Sequence, residues 1–374
     1  MSRRGQGEGT IRHRKDGRWE ARIDLGYSNG KRQRKAIYGK TRKEVQDALR
    51  DAVKAHQRGK PITTKSESTA VFLTRWLETV KPKLRPMTYR SYEARVHQHI
   101  IPSLGRVPVQ QLKPQDVQAL LNEKAATKLS ASTVRGIRAV LRAALQQGVK
   151  WQQLEYNAAA LADPPRVPDR QPKWLDLSQA KSFLEAVADD RLESLYRVAV
   201  SLGLRQGEAL GLRWNDVDLD GGQLRVSWAL QRVNGHLELV EPKTKKSRRT
   251  VMLPATVANA LRAHRSRQVD EQQKAGSKWQ DQDFVFTTLL GTPLEGTRVT
   301  KDFQKVLDKA GLPQMKFHEL RHSCVSLLGA QGVSPRTIQE IMGHSQMSTT
   351  MGIYAHVMPS VLRDAADAMD RVLE

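Results

Sequence analysis

The sequence GHSQMSTTMGIYAH, residues 343–356, places Tyr354 ten residues after His344. Upstream, residues 318–322 read HELRH and supply His318 and Arg321, and residues 202–208 read LGLRQGE and supply Arg205. These stretches are far apart in the chain, so only a folded domain could bring them together. Two arginines, histidines and a tyrosine suit one chemistry particularly well, the attack of a tyrosine hydroxyl on a phosphodiester.

Charge explains why this chemistry needs these residue types. A phosphodiester repels nucleophiles, and its transition state spreads negative charge over the non-bridging oxygens, so fixed positive donors must face them. Arginine provides a planar fork that stays charged and grips two phosphate oxygens at once. Histidine can hydrogen-bond the same oxygens or move the tyrosine proton, because its pKa lies near neutrality. The covalent link would keep the energy of the broken bond, so we expect neither a metal nor another cofactor.

The order and spacing of these stretches resemble the boxes of the tyrosine recombinases, in particular the phage and integrative-element integrases. The resemblance covers roughly residues 70 to 374 and, more loosely, the N-terminus. It implies six catalytic residues: Tyr354 as the nucleophile, Arg205 and Arg321 on the scissile phosphate, His318 and His344 as hydrogen-bonding or acid-base partners, and Lys243 as the general acid. Lys243 precedes a threonine in EPKTKKSRR, residues 241–249, with Lys245 as the substitute.

The resemblance implies a site-specific recombinase that cleaves and rejoins DNA through a 3′-phosphotyrosyl intermediate, to integrate or excise a mobile element. It also implies a homo-tetramer on core and arm attachment sites, with room for a directionality factor or a DNA-bending host protein. Two other functions stay open, a type IB topoisomerase that relaxes DNA as a monomer and a non-catalytic DNA-binding regulator with the same fold. The basic N-terminal region argues against the first, and the intact catalytic set argues against the second.

Composition points to the same kind of partner. The 374 residues carry a formal net charge of +23, and no long apolar run is present, so nucleic acid is a better partner than a membrane. A single cysteine, Cys324, excludes an internal disulfide framework. Arg3 and Arg4 are followed by polar residues and glycine rather than by an apolar signal region. We therefore expect a cytoplasmic protein of a bacterial host that acts on double-stranded DNA.

Basic residues concentrate at the N-terminus. Residues 1–65 hold 19 Lys and Arg against 7 Asp and Glu, which is more than solubility requires. Asp16-Gly17 and Asn29-Gly30 are turn signals between alternating stretches, and residues 41–56 follow with a helical pattern. A three-stranded sheet with a basic face can lie in a major groove, as in the arm-type domain of phage integrases. Six residues are candidates for DNA contacts: Arg12, Arg14, Arg18, Arg22, Arg32 and Arg34.

The chain is predicted to be multidomain. Four prolines between residues 163 and 173 cannot continue a helix and mark one boundary. We predict a small α+β DNA-binding domain at 1–60, a linker at 61–69, an all-α core-binding domain at 70–163, a linker at 164–173, and a mainly-α catalytic domain at 174–374.

The catalytic domain is predicted to contain one small antiparallel sheet. Its three strands are expected at residues 223–230, 236–240 and 249–253, with a turn at Asn234-Gly235. The loop before the last strand is strongly basic. Apart from Lys243, its cations are expected to attract phosphate without taking part in the chemistry: Lys245, Lys246, Arg248 and Arg249.

Two features have competing interpretations. HELRH also matches the HExxH zinc pattern of metalloproteases, but no third ligand is evident at a protease spacing, so we predict no metal site. His322 is then interpreted as a structural hydrogen-bonding histidine, and Cys324 as a small buried residue. Residues 361–373 form an apolar helical face that either docks on a neighbouring protomer, as the family implies, or packs on its own domain.

Overall fold

A computed structural model describes residues 9–28, 31–57, 67–168, 172–233, 235–242, 247–344, 346–354, 369–371 and 373, with the backbone alone at 25–28, 31–33, 35, 55–57, 349 and 353. Several predicted features lie outside these ranges: the Asn29-Gly30 turn, the side chain of Arg32, most of the 61–69 linker, Asn234, Lys243, Lys245, Lys246 and most of the final helix.

The chain divides into two compact units, Met1–Asp169 and Arg170–Glu374. The division falls inside the segment predicted as the second linker, while the finer domain bounds stay predictions. Within the described ranges, no helix is both long and apolar enough to cross a membrane.

The first unit opens with the predicted sheet and helix. Strands β1 (Thr10–His13), β2 (Trp19–Ser28) and β3 (Lys31–Gly39) pair antiparallel in that order, and α1 (Arg42–Gln57) follows. Because side chains alternate along a strand, Ala21 and Ile23 point to one face, where they pack with Val45 and Leu49 of α1. The opposite face of β2 carries its charged residues.

The same unit contains a helical bundle. Its elements are α2 (Thr69–Val80), α3 (Pro86–Arg95), a π-helical turn (Val96–Ile100), α4 (Ile101–Leu104), α5 (Pro114–Ala125) and α6 (Ala131–Lys150). The hydroxyl of Ser130 accepts from the backbone N–H of Thr133 at 3.2 Å and so caps the start of α6. Apolar residues at helical spacing form the core, including Phe72, Trp76, Leu121 and Leu141.

The second unit is mainly helical. Its helices are α7 (Leu177–Ala186), α8 (Glu193–Leu202), α9 (Gln206–Leu210), α10 (Ala255–Ala275), α11 (Gly296–Lys309), α12 (Glu319–Ala330), α13 (Pro335–Met342) and α14 (Met347–Tyr354). Four aromatic rings, those of Phe183, Tyr196, Phe303 and Phe317, contact one another at the centre of its core. This packing fixes α8, α11 and the start of α12, the helix that carries Arg321.

The prediction of a single three-stranded sheet in this unit is wrong. The structure forms two sheets, one of β4 (Val217–Asp218), β5 (Gln223–Val226) and β8 (Arg249–Met252), the other of β6 (Ala229–Val233) and β7 (His236–Val240).

The predicted strand at 223–230 breaks where the Ser227 hydroxyl donates to Asp216 at 2.6 Å. The chain then runs against α9, where Gly207 and Gly211 permit close approach. A Cβ at Gly211 would stand 2.7 Å from the backbone nitrogen of Leu230.

Candidate active site

Arg321 on α12 is the most enclosed charged group of the site, with 2% of its surface exposed. Its Nη1 donates to the carbonyl of Gly203 at 2.6 Å, and its Nη2 donates to the carbonyl of Met342 at 2.7 Å. These carbonyls lie at the C-terminal ends of α8 and α13, where the helix dipole favours a cation. Burial and, next, the charge of Arg205 lower its pKa to about 9, so Arg321 remains charged at neutral pH.

Both helices that face Arg321 end at a glycine in the left-handed conformation. Gly203 has φ 59° and Gly343 has φ 64°, values that favour glycine because it lacks a Cβ. A Cβ on Gly203 would also stand 2.6 Å from the sulfur of Met342. The glycines therefore let α8 and α13 end close together and turn their last carbonyls toward one guanidinium.

Arg205 immediately precedes α9 and is held by Glu208. Its Nη1 donates to Glu208 Oε1 at 2.6 Å, and its backbone N–H donates to Oε2 at 3.1 Å. Burial raises the pKa of Glu208, but Arg249 and then Arg205 outweigh it, so the pKa lies below its ordinary value. Glu208 therefore orients the Arg205 side chain. Because 38% of that side chain is exposed, it remains open to a ligand.

Arg249 is a buried residue of the candidate site whose position the sequence interpretation missed. It was grouped with the loop cations that are expected to attract phosphate, but only 6% of its side chain is exposed. Its Nη2 donates to Glu208 Oε2 at 3.1 Å, and its Nε donates to the carbonyl of Ile341 at 2.6 Å. Arg249 thus ties the Arg205–Glu208 pair to the end of α13. Its place on β8 with alternating neighbours was the only sequence signal that set it apart from the loop cations.

His344 follows the Gly343 turn and is buried. Its Nδ1 lies 2.9 Å from the hydroxyl of Thr350, while the Gln339 side chain donates to its carbonyl at 3.2 Å. Burial first, and then the charges of Arg321 and Arg205, lower its pKa to about 3. His344 is therefore neutral at physiological pH. When Nδ1 accepts from Thr350, Nε2 carries the proton and is available as a donor.

His318 lies at the start of α12, one turn before His322. Burial, followed by the charges of His322 and Arg321, lowers the pKa of His318 to about 4, so it is neutral as well. The two rings meet edge to face with centroids 5.3 Å apart. The interpretation of His322 as a hydrogen-bonding histidine is not supported, because its buried Nδ1 has no partner among the described residues.

Glu319, the acidic residue of the HELRH zinc pattern, has a structural role. The carboxylate of Glu319 accepts from the backbone N–H of Lys316 and so helps to cap α12. In the part of the chain that the structure describes, no three His, Cys, Asp or Glu side chains are grouped to hold a metal ion. Cys324 is buried, and its thiol contacts the carbonyl of Ser201 at 3.3 Å.

Tyr354 ends α14 and is 4% exposed. It packs in a small apolar cluster with Cys324, Val325, Ile338 and Met342 of α12 and α13. The tyrosine is thus placed by the same two helices that carry Arg321 and lead to His344.

The structure brings five of the six predicted catalytic residues into one region, and Lys243 lies outside the described residues. Arg205, Arg321 and the two histidines are close enough for the arginine charges to lower both imidazole pKa values. Of the loop cations expected to attract phosphate, Lys245 and Lys246 are not described, and Arg248 is exposed with its Nη2 2.6 Å from Glu241.

The predicted DNA-contacting arginines of the N-terminal sheet remain accessible. The side chains of Arg12, Arg14, Arg18, Arg22 and Arg34 are between 36% and 60% exposed. Glu20, Arg22 and Asp24 of β2 lie on the sheet face opposite α1. Arg12 is paired with Glu20 and Arg34 with Asp24, so both lie on that face with Arg22. Arg14 and Arg18 flank the β1–β2 turn and both pair with Asp16.

Comparison with known proteins agrees with this arrangement. The model of the phage integrase family matches residues 173–360, and that of the phage integrase N-terminal SAM-like domain matches residues 70–125. The chain belongs to the phage integrase family. The matched range contains all six predicted catalytic positions.

Relatives resemble this integrase over most of their length. A tyrosine recombinase XerC-like protein of Caldanaerobacter subterraneus subsp. tengcongensis is 30% identical, over 91% of this chain and 93% of its own. An integrase of Streptomyces ambofaciens is also 30% identical, over 100% of this chain and 98% of its own.

A solved structure shares the fold. The Tn1549 transposon integrase bound to transposon right end DNA has a TM-score of 0.69 and 21% identity, over 81% of this chain and 99% of its own. The comparisons confirm the predicted family, the predicted fold class and the predicted activity of a site-specific DNA recombinase. They do not favour the topoisomerase or regulator alternatives.

Proposed function

We propose that the hydroxyl oxygen of Tyr354 attacks the scissile phosphate of a DNA strand. The new bond joins the tyrosine oxygen to phosphorus, the bond from phosphorus to the 5′ oxygen breaks, and the strand keeps a 3′-phosphotyrosyl link. The tyrosine passes its proton to a neutral imidazole of the site, that of His318 or His344, and the leaving 5′ oxygen takes a proton from Lys243. Attack by a 5′ hydroxyl on the phosphotyrosyl bond reverses the step and rejoins DNA.

The observation that carries this proposal is the fixed guanidinium of Arg321. Two backbone carbonyls orient it before DNA arrives, so little reorganisation accompanies phosphate binding. Arg205 supplies a second guanidinium that is also aimed in advance, by Glu208. Together they would offset the charge that develops on the two non-bridging oxygens.

The histidines act as neutral groups in this scheme. With pKa values of about 3 and about 4, His344 and His318 carry no charge at neutral pH in the DNA-free protein. Each neutral imidazole can donate a hydrogen bond to a phosphate oxygen from its protonated nitrogen. In His344 the other nitrogen, Nδ1, lies 2.9 Å from the hydroxyl of Thr350. A phosphate would raise both values and make the imidazoles better proton acceptors.

The DNA partner is inferred from charge and likeness. The net charge of +23 favours a polyanion, and solved relatives with this fold are bound to DNA, including a lambda integrase dimer on a core site with a TM-score of 0.55. We infer that the helical bundle and catalytic unit hold the core site while the N-terminal sheet binds arm sites. A homo-tetramer on two duplexes, an accessory DNA-bending or directionality protein, and a bacterial cytoplasmic location complete the proposal.

A covalent trapping experiment tests the nucleophile. Nicked suicide duplexes from the DNA flanking the gene are incubated with wild type and with Tyr354→Phe, and covalent complexes are separated on a denaturing gel. We expect a slow band with wild type alone. Tyr196→Phe is the matched control, because the buried Tyr196 hydroxyl has no hydrogen-bond partner among the described residues. A band that persists in Tyr354→Phe assigns the wrong tyrosine, while bound DNA without any band in wild type contradicts the activity on that site.

A further inference from the structure

One carboxylate lies at the centre of the basic sheet face. Glu20 on β2 is opposite Arg12 on β1 and Tyr38 on β3 in the strand register. It points away from α1, since its neighbours Ala21 and Trp19 pack toward the helix. Its surface is nevertheless 0% exposed.

Arginine side chains cover this carboxylate. Arg12 donates to Glu20 Oε2 through Nε at 2.9 Å and through Nη2 at 2.7 Å, and Arg14 Nη1 reaches the same oxygen at 3.4 Å. Arg22 Nε donates to Oε1 at 2.5 Å. Both carboxylate oxygens are therefore engaged, and Glu20 has no free edge with which to contact a base.

The three arginines stay accessible even though they share one anion. Their side chains are 56%, 36% and 47% exposed for Arg12, Arg14 and Arg22. Arg14 also lies over the ring of Tyr38, with its Cζ 5.4 Å from the ring centroid. Long arginine side chains lose rotamer freedom when they bind, so a shared anchor lowers the entropy cost of placing all three.

Holding arginines in place matters for reading sequence but little for attracting DNA. Phosphate attraction depends on net charge and tolerates mobile cations, whereas a bidentate contact with a guanine edge needs a fixed fork. An acidic residue that repels phosphate can therefore serve DNA recognition on this face by fixing such forks.

We propose that Glu20 is a positioning residue that sets the sequence specificity of the N-terminal sheet by fixing Arg12, Arg14 and Arg22 as one array. This inference rests on the arm-binding role in the proposed function. It predicts a change in affinity for the specific DNA site that is opposite in direction to the change expected from charge alone. Loss of a negative group from a DNA-binding face should strengthen all binding, but loss of Glu20 should weaken binding to the specific site.

The test uses the full-length chain carrying Tyr354→Phe, so that binding is measured without cleavage. A duplex of about 25 base pairs, enough for one or two groove-binding modules, is enriched from a random library, and one whose enrichment disappears in Arg12→Ala/Arg22→Ala is chosen. A shuffled duplex of the same composition serves as the non-specific probe. The ratio of the two affinities is then compared between Glu20→Gln and its controls.

We expect Glu20→Gln to lower that ratio by about tenfold or more, the size of one lost bidentate contact, while affinity for the shuffled duplex stays equal or rises. Arg12→Lys, which keeps the charge but loses the fork, should lower the ratio in the same direction. Asp47→Asn is the charge-matched control, because Asp47 is exposed on α1 and pairs only with Arg50 among the described residues. It should leave the ratio unchanged.

The other outcomes overturn the inference in separable ways. An unchanged ratio in Glu20→Gln removes the positioning role and leaves arm binding intact. Equal losses on both duplexes mean that Glu20 holds the fold of the sheet and does not set specificity. If no enriched duplex depends on Arg12 and Arg22, the arm-binding assignment itself fails, and this inference fails with it.

Discussion

Two arginine groups in this integrase are held in opposite ways. In the catalytic unit, Arg321 and Arg249 are buried, and backbone carbonyls at helix ends accept most of their hydrogen bonds. On the N-terminal sheet, Arg12 and Arg22 are exposed, and one carboxylate holds them. The first arrangement fixes position through the fold, while the second fixes it through a side-chain contact that water can reach.

The difference matches what the proposed function requires of each group. A group that stabilises a transition state must not reorganise during the reaction, so burial against rigid helix ends suits it. A group that reads DNA must reach into a groove and meet base edges, so it has to stay on the surface. The catalytic arrangement should therefore be coupled to stability, and the DNA-reading arrangement should be coupled mainly to specificity.

The largest expected effect is a difference in unfolding free energy between variants of Glu208 and Glu20, the carboxylates that hold the two arginine groups. Glu208→Gln should lower the unfolding free energy of the catalytic unit by about 3 kcal/mol or more, because the buried Arg249 loses its counter-charge. Glu20→Gln should leave the unfolding free energy nearly unchanged, since its arginines can turn into water. Calorimetric unfolding of both variants measures this contrast. Equal destabilisation would mean that the two groups are not built differently.

The next effect separates Arg205 and Arg321, the two arginines proposed to bind the scissile phosphate. Arg321→Lys and Arg205→Lys should each slow single-turnover cleavage of a suicide duplex by about 10²–10³-fold, as expected when one aimed donor is lost. Only Arg321→Lys should also lower the melting temperature, because two helix-end carbonyls lose partners while the Arg205 side chain is 38% exposed. A stable Arg321→Lys protein would contradict the coupling of chemistry to fold.

The smallest expected effect is the pH dependence of stability that comes from the buried His344. The pKa of His344 falls from 6.5 in the unfolded chain to about 3 in the fold, so the unfolded state binds a proton first on acidification. The stabilisation from its neutral form is complete above pH 6.5 and is lost as pH falls toward 3. Between about pH 6.5 and pH 5 the loss is about 1–2 kcal/mol for this one histidine.

Denaturant unfolding at a series of pH values measures this effect. His344→Gln should remove the contribution of this histidine from the slope of unfolding free energy against pH. Burial also lowers the pKa of the buried His264, which should keep its own contribution to that slope. An unchanged slope in His344→Gln would show that His344 is not held neutral in the fold.

Local patterns predicted much of the fold because local physics determines it. The β1–β3 sheet followed from alternation and turn residues, and the helical pattern at residues 41–56 matches α1, Arg42–Gln57. The second sheet of the catalytic unit was missed because its cause is tertiary. β6 leaves the first sheet to lie against Gly207 and Gly211, and nothing within residues 223–230 records that approach.

The site was predicted as a set of residues but not as a connected structure. Arg205, Arg321, His318, His344 and Tyr354 were recognised from order and spacing. The bond from Arg249 to the carbonyl of Ile341 crosses 92 positions and involves a backbone atom, which carries no sequence signal. The covered carboxylate of Glu20 was equally hidden, since an acidic residue among arginines is ordinarily an exposed charge.

The paired glycine ends of α8 and α13 have a further consequence for how the site is divided. Everything that would grip phosphate, from Arg205 to His344, is complete by residue 344 and is braced by those two ends. Tyr354 comes afterwards, on a separate short helix that meets this frame through apolar packing and the contact between Thr350 and His344. In the proposed mechanism, the residues that bind phosphate are therefore complete before the chain supplies the nucleophile. Variation in the last thirty residues could change when and where the strand is cut without altering what is gripped.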